Sequence, residues 1–146
     1  MTELYIGIDP DLLKSGVATW DGKKFTQLGT MRFYELLDYL EMHKMHAWTK
    51  KEYSFMVFLE AGWLNEKSNF HTNQGAWIRE RIAKDVGQNQ AVGKLILEYC
   101  ELEKINYHTI RPTQTKWSSE TFKKITGWEG RTNSEMRDAA RLIFGR

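Results

Sequence analysis

The 146-residue chain has a single cysteine, two prolines and no apolar run of membrane-spanning length. Cys100 has no partner for an internal disulfide, and no Cys/His group has the spacing of a zinc site. Without about 18 consecutive apolar residues, no transmembrane helix and no membrane partner are expected. Met1-Thr2-Glu3-Leu4 lacks the basic segment and apolar stretch of a secretory signal, so a cytoplasmic setting is expected. Charge of one sign is also missing: the formal net charge is only +2, which gives no global signature of nucleic-acid binding. The distribution says more. Acids crowd Glu35 to Glu41 and Glu98 to Glu103, whereas bases gather at 44–51, 79–84, 111–124 and 131–146, a pattern that permits a basic face. There is no dinucleotide-binding motif and no Ser/His/Asp or Cys/His arrangement. His43, His46, His71 and His108 are scattered, and although His43 and His46 share a helical face, packed or solvated side chains explain them better than a metal.

What is present reads as one domain spanning 1–146, with no repeat, low-complexity segment or linker. Leu4 to Ile8 is an apolar strand that ends at Asp9-Pro10. Ser15 to Trp20 and Lys24 to Leu28 are two further strands, and Asp21-Gly22 between them suggests a two-residue type I′ hairpin. Phe33, Leu36, Leu37 and Leu40 recur at helical spacing and predict a helix over 32–47. Tyr53 to Leu59 is apolar enough for a central strand buried on both faces, and it ends in Glu60. Residues 61–75 read as a loop. A helix is predicted from Ala76 to about Glu103, with an interruption near Gly87. Ile105 to Ile110 is a fifth strand stopped by Pro112, and two helices follow, over 117–125 and 134–144. The order β-β-β-α-β-α-β-α-α implies an α/β fold: a mixed sheet of five strands, antiparallel at its start and parallel at its finish, covered by helices. Six tryptophans are many for this length, and most are expected in the core.

Acids stand where strands end. Asp9 closes the first strand and Glu60 the fourth, and in parallel sheets ligands gather at the carboxyl ends of strands. If those strands are parallel neighbours, the two carboxylates lie side by side and repel, a cost that a divalent cation removes. Hard oxygen donors suit Mg2+ or Mn2+. Glu135 and Asp138 are three apart on the last helix and share a face, and Ala139-Ala140 would let that helix approach the sheet closely. Four acids could then surround two ions about 4 Å apart, as phosphodiester cleavage uses them. Each acid also has a plainer reading. Asp9-Pro10 can start a turn, Glu60 can lead a buried strand into solvent, and Thr132-x-x-Glu135 is a capping box.

With those residues in place, the chain resembles the RuvC family of Holliday-junction resolvases, within the ribonuclease-H-like superfamily. The likeness rests on Ile6-Gly7-Ile8-Asp9-Pro10 followed by Ser15-Gly16-Val17-Ala18, on Phe58-Leu59-Glu60, and on Gly87-Gln88 with the small-apolar helix Ala91-Val92-Gly93. It continues through Tyr107 to Lys116 and ends at Glu135-x-x-Asp138-Ala139-Ala140. It covers most of the chain in the right order. The resemblance implies a ribonuclease-H-like fold with helices on both faces of the sheet. It implies a homodimer that binds a four-way DNA junction and makes paired nicks by water attack, with Asp9, Glu60, Glu135 and Asp138 holding two Mg2+ ions. Trp63, three residues after the second acid, matches the position of an aromatic wedged against junction bases, and Lys116 a basic residue near the scissile phosphate. Both have plainer readings, as a packed tryptophan and a solvated lysine. Lys67 and Arg79 complete the candidate DNA contacts. The sequence departs from the family pattern in three places. Asp11 stands where glycine is usual, Glu135 replaces the usual aspartate, and the loop after Glu60 differs from that of the bacterial enzymes. Such a divergent member suits a bacterium, a phage or a mobile element. Three other readings stay open: a nuclease of the same fold for RNA–DNA hybrids or flaps, a non-catalytic nucleic-acid-binding module, and a small-molecule enzyme.

Overall fold

The computed structural model describes residues 2–65 and 75–146. Five strands, β1 (Thr2–Asp9), β2 (Ser15–Trp20), β3 (Phe25–Met31), β4 (Tyr53–Glu60) and β5 (Tyr107–Ile110), form one sheet in the order β3-β2-β1-β4-β5. β3, β2 and β1 pair antiparallel, and β1–β4 and β4–β5 pair parallel, as the order of elements predicts. The helices are α1 (Phe33–Thr49), α2 (Ala76–Leu102), α3 (Ser119–Thr126) and α4 (Ser134–Arg141). Among the described residues no helix is long and apolar enough to cross a membrane.

The period-two alternation of strands sorts side chains onto two faces. Leu4, Ile6 and Ile8 of β1 and Phe55, Val57 and Leu59 of β4 point to one face, where Leu36 and Leu40 of α1 and Val92, Ile96 and Cys100 of α2 cover them. The opposite parity, with Ala18, Trp20 and Phe58, meets Phe122 of α3 and Ala139, Ala140 and Ile143 of the α4 region. Helices therefore cover both faces, and β4 is buried on both, as its uninterrupted apolar run requires. Four of the six tryptophans belong to these cores: Trp20 is buried, and Trp63, Trp117 and Trp128 pack at the margins. The other two, Trp48 and Trp77, are 83% and 67% exposed, so most of the tryptophans are in the core, as expected, but not all.

Several local expectations are corrected. The β2–β3 connection is not a type I′ turn. Trp20 pairs with Phe25, and the Asp21 carboxylate accepts the backbone N–H groups of Lys23 and Lys24, at 2.8 and 2.9 Å. Gly22 alone in that turn has a positive φ, whereas type I′ needs two such residues. The carboxylate has substituted for the tighter turn. α2 runs through Gly87 without a break, because an isolated glycine costs helix free energy without ending the helix. β3 extends to Met31, three residues beyond the expected end, through antiparallel pairing with β2 as far as Ser15. The capping box at Thr132 is replaced by Asn133, whose side chain accepts the Met136 N–H at 2.9 Å. Asparagine is the better N-cap, and Glu135 becomes the second residue of the helix.

Candidate active site

Strand parity decides where the acids point. Asp9 follows Tyr5 and Gly7 onto the face covered by α4, and Glu60 follows Met56 and Phe58 onto the same face. Ile8 pairs with Leu59, so the next step of the parallel register sets Asp9 beside Glu60. α4 supplies the third carboxylate. A Cβ on Gly7 would stand 2.2 Å from the Ala139 carbonyl oxygen, and one on Gly16 2.0 Å from that of Glu135. Bare backbone on the sheet therefore meets the backbone of the helix directly, and that contact fixes the height of Asp138 above the sheet. Asp138 is 15% exposed and accepts a 2.9 Å ion pair from Lys116 Nζ. Lys116 lies between β5 and α3. Its segment is tied to the start of α4 by Arg137, which donates to the carbonyl oxygens of Trp117 and Thr132 and to the Thr132 hydroxyl, at 2.9 to 3.1 Å.

The electrostatics are those of a crowded anionic centre. Burial, then the charges of Glu60 and Asp138, push the Asp9 carboxyl up to about 8, with Lys116 opposing and Glu135 adding a smaller push. Burial also raises Glu60, against the cations Lys116 and Arg141. Burial alone would lower the Lys116 ammonium. The hydrogen bond to Asp138 and the charges of Glu60, Asp138 and Asp9 outweigh it and hold the pKa above its ordinary value. The donors are hard carboxylate oxygens that repel one another, a set that fits a divalent cation in kind. Among the described residues no three acid, histidine or cysteine side chains stand together as a ready-made ion cage, and Asp138 is engaged by Lys116.

A cleft of about 370 Å³ opens at this centre, lined by Asp9, Glu60, Trp63, Gln90, Pro112 and Lys116 among others. Trp63 does not project freely. Its ring packs where a Cβ on Gly93 of α2 would stand 2.7 Å away, and the Lys94 ammonium lies 5.8 Å over it. Glu135 stands somewhat apart, lining a neighbouring groove with Asp11, Leu13 and Arg32. Asp11 keeps an ordinary backbone despite replacing glycine. Its carboxylate accepts the N–H groups of Leu13 and Lys14, and its own N–H donates to Ser15 Oγ. The Leu12 N–H donates to Asn89 of α2, which ties this loop to the helix. Arg79 is exposed on the first turn of α2 and lines neither the cleft nor the groove, and Lys67 lies outside the described residues. Sequence reasoning did not single out Gln90, Asn89 or Arg141. For Arg141 a signal was available, since it sits three residues past Asp138 on the same helical face.

No protein-family model matches the sequence, and a search of curated proteins finds no similar chain. Solved structures do match. A Thermus thermophilus RuvC described in complex with a Holliday junction substrate superposes with a TM-score of 0.51 at 15% identity, over 96% of this chain and 89% of its own. A second Thermus thermophilus RuvC structure gives 0.50 at 16% identity, over 95% and 90%. The chain has the RuvC fold. The fold that the sequence resemblance implied, a mixed five-stranded sheet with helices on both faces, is the one found, and within the RuvC fold Asp9 and Glu60 end the two central, mutually parallel strands.

Proposed function

We propose that the chain is a metal-dependent endonuclease for branched DNA, a crossover junction endodeoxyribonuclease that nicks four-way junctions in symmetric pairs. One observation carries the reading: Asp9, Glu60 and Asp138 come from three separate elements to one patch of one sheet face, beside an open cleft. Carboxylates that raise one another's pKa oppose folding, so packing alone gives no reason to gather them. The RuvC fold supports the junction as substrate, because one RuvC of this fold is described in complex with a Holliday junction substrate.

In this reading Asp9, Glu60 and Asp138, with Glu135 from the first turn of α4, hold Mg2+, which Mn2+ can replace, two ions to a centre. A metal held there would supply stabilisation of the charge that builds on the phosphodiester oxygens during water attack. Lys116, already oriented by Asp138, sets an ammonium against the scissile phosphate. Trp63 offers a ring on the wall of the cleft for a base of the opened junction to stack on, worth roughly 1–3 kcal/mol. Arg79, exposed on the first turn of α2, neutralises a phosphate farther along an arm, and Lys67 is a further candidate phosphate contact. Paired nicks call for a homodimer, and the setting is the cytoplasm of a bacterium or of a phage-infected cell.

The deciding experiment is cleavage of a labelled four-way junction with and without Mg2+, beside linear duplex, flap and RNA–DNA hybrid substrates, with Asp9→Asn in parallel. The expected result is symmetric nicks confined to the junction, dependent on metal and lost in Asp9→Asn. Cutting of flap or hybrid in place of the junction would move the activity to another nuclease of the fold. Tight junction binding with no cutting of any substrate would leave a binding module.

A further inference from the structure

Beside the catalytic cleft lies a second, smaller pocket of about 110 Å³. Glu60 and Lys116 line both, so the two adjoin at the acid cluster, and Arg111, Arg141 and Arg146 surround the smaller one with Asp138 and Thr113. Four cations thus face two carboxylates, and Lys116 and Asp138 already pair with each other. The Arg141 guanidinium lies 5.3 Å over the Trp117 ring and that of Arg146 4.2 Å over Phe58, and Arg146 Nε also donates to the Leu142 carbonyl at 2.8 Å. Both heads are held in place by these contacts, so little side-chain freedom remains to be lost on binding an anion. Arg141 Nη1 is buried and has no hydrogen-bond partner among the described residues. Buried donors are rarely left in that state. Its charge acts on Glu60 without a hydrogen bond between them. The pocket is far smaller than a site for a nucleotide or a drug-sized molecule, which needs roughly 300 Å³ or more. A phosphate group fits it, and the planar fork of arginine matches phosphate oxygens.

We infer that the Arg111–Arg141–Arg146 pocket is a phosphate site, occupied by a backbone phosphate of the strand whose neighbouring phosphate lies at the acid cluster. The inference rests on the nuclease reading for the source of the phosphate, while the pocket's chemistry is independent of it. An ordered water could satisfy Arg141 Nη1, but it would leave the excess positive charge uncompensated.

The test measures binding of a labelled four-way junction to the full chain in metal-free buffer, where no cleavage intervenes, by fluorescence anisotropy over a range of salt concentrations. Arg141→Gln and, as a variant at an exposed side chain, Arg146→Gln are compared with wild type, with Lys23→Gln on the β2–β3 turn as control. Losing one phosphate contact should lower the magnitude of the log–log salt slope by about 0.9 and weaken binding about tenfold at moderate salt. Arg141→Lys, which keeps the charge but loses the fork, should recover most of the slope and less of the affinity. Wild-type junction binding with slope and affinity unchanged in both glutamine variants would overturn the inference and leave the nuclease reading standing. A parallel titration with inorganic phosphate, read by the Trp117 indole NMR resonance, separates the two possible sources. A Trp117 response lost in Arg141→Gln, in a chain that binds no DNA, would keep the phosphate site and sink the nuclease reading. No response and no DNA binding would sink both.

Discussion

At Asp9 a carboxyl is pushed up to about 8 by burial and by the charges of Glu60 and Asp138, and without metal only Lys116 offsets that cost. Replacing it with the neutral isostere should therefore stabilise the metal-free chain while removing its response to metal. Asp9→Asn is expected to gain on the order of 1 kcal/mol in EDTA, and Mg2+ is expected to raise the melting temperature of wild type but not of Asp9→Asn. Thermal unfolding with and without Mg2+ checks both parts, and an Asn variant that still responds to Mg2+ would remove Asp9 from the metal site. His43 is a second residue held in its neutral form, far from the acids. It is 6% exposed, bonded through Nδ1 to the Tyr53 hydroxyl, and burial with the nearby His46 lowers its pKa to about 4. The unfolded chain takes up that proton near pH 6.5, before the folded one does. The stabilisation from neutral His43 is therefore complete above about pH 6.5 and lost as pH falls toward 4. Between pH 7 and pH 5 wild type should lose roughly 2 kcal/mol more than His43→Leu in urea unfolding. A difference between the two proteins that stays constant across that range would show that His43 does not titrate as described.

The elements explain what the sequence disclosed and what it withheld. Asp9 and Glu60 were legible because a strand's end and its side-chain parity are both local, and an apolar run stopped by Pro10 or ended by an acid shows each directly. The close packing of α4 was half legible. Ala139 and Ala140 announced it from the helix, but Gly7 and Gly16 acquire their meaning only when the sheet brings them under the Ala139 and Glu135 carbonyls. The β2–β3 turn and the α4 cap were misread for a different reason. At Asp21 and Asn133 a short polar side chain took over backbone N–H groups that the motif reading had given to other partners. The basic pocket stayed hidden because Arg111, after β5, lies thirty residues or more from Arg141 and Arg146 at the end of the chain, and the two segments meet only in the fold. Gly87 tests how far local propensity counts in α2. The helix passes through it unbroken, and a Cβ there would meet nothing within 4 Å. Gly87→Ala should raise stability by about 0.5–1 kcal/mol in chemical unfolding with no effect on the acid cluster. A loss of stability would mean that this exposed turn of α2 departs from regular helix.

For the whole molecule, the proposed reaction needs more than one chain. Among the described residues a single acid cluster lies at the carboxyl edge of the sheet, formed by Asp9, Glu60 and Asp138, and one such centre cuts one strand at a time. Symmetric nicks on strands of like polarity then require two copies bound to one junction, related by its two-fold symmetry. Metal-free complexes should accordingly contain two chains per junction by sedimentation. A mixing experiment is sharper, because it reads the chemistry. Wild type combined with an equal amount of Asp9→Asn should, on random pairing, form twice as many pairs with one competent centre as with two. Singly nicked junctions should then accumulate in the mixture, whereas wild type alone passes quickly to doubly nicked product. If the ratio of single to double nicks is the same with and without the inactive partner, each chain cuts alone. In that case the cluster acts as a nicking centre, and the homodimer has no part in the reaction.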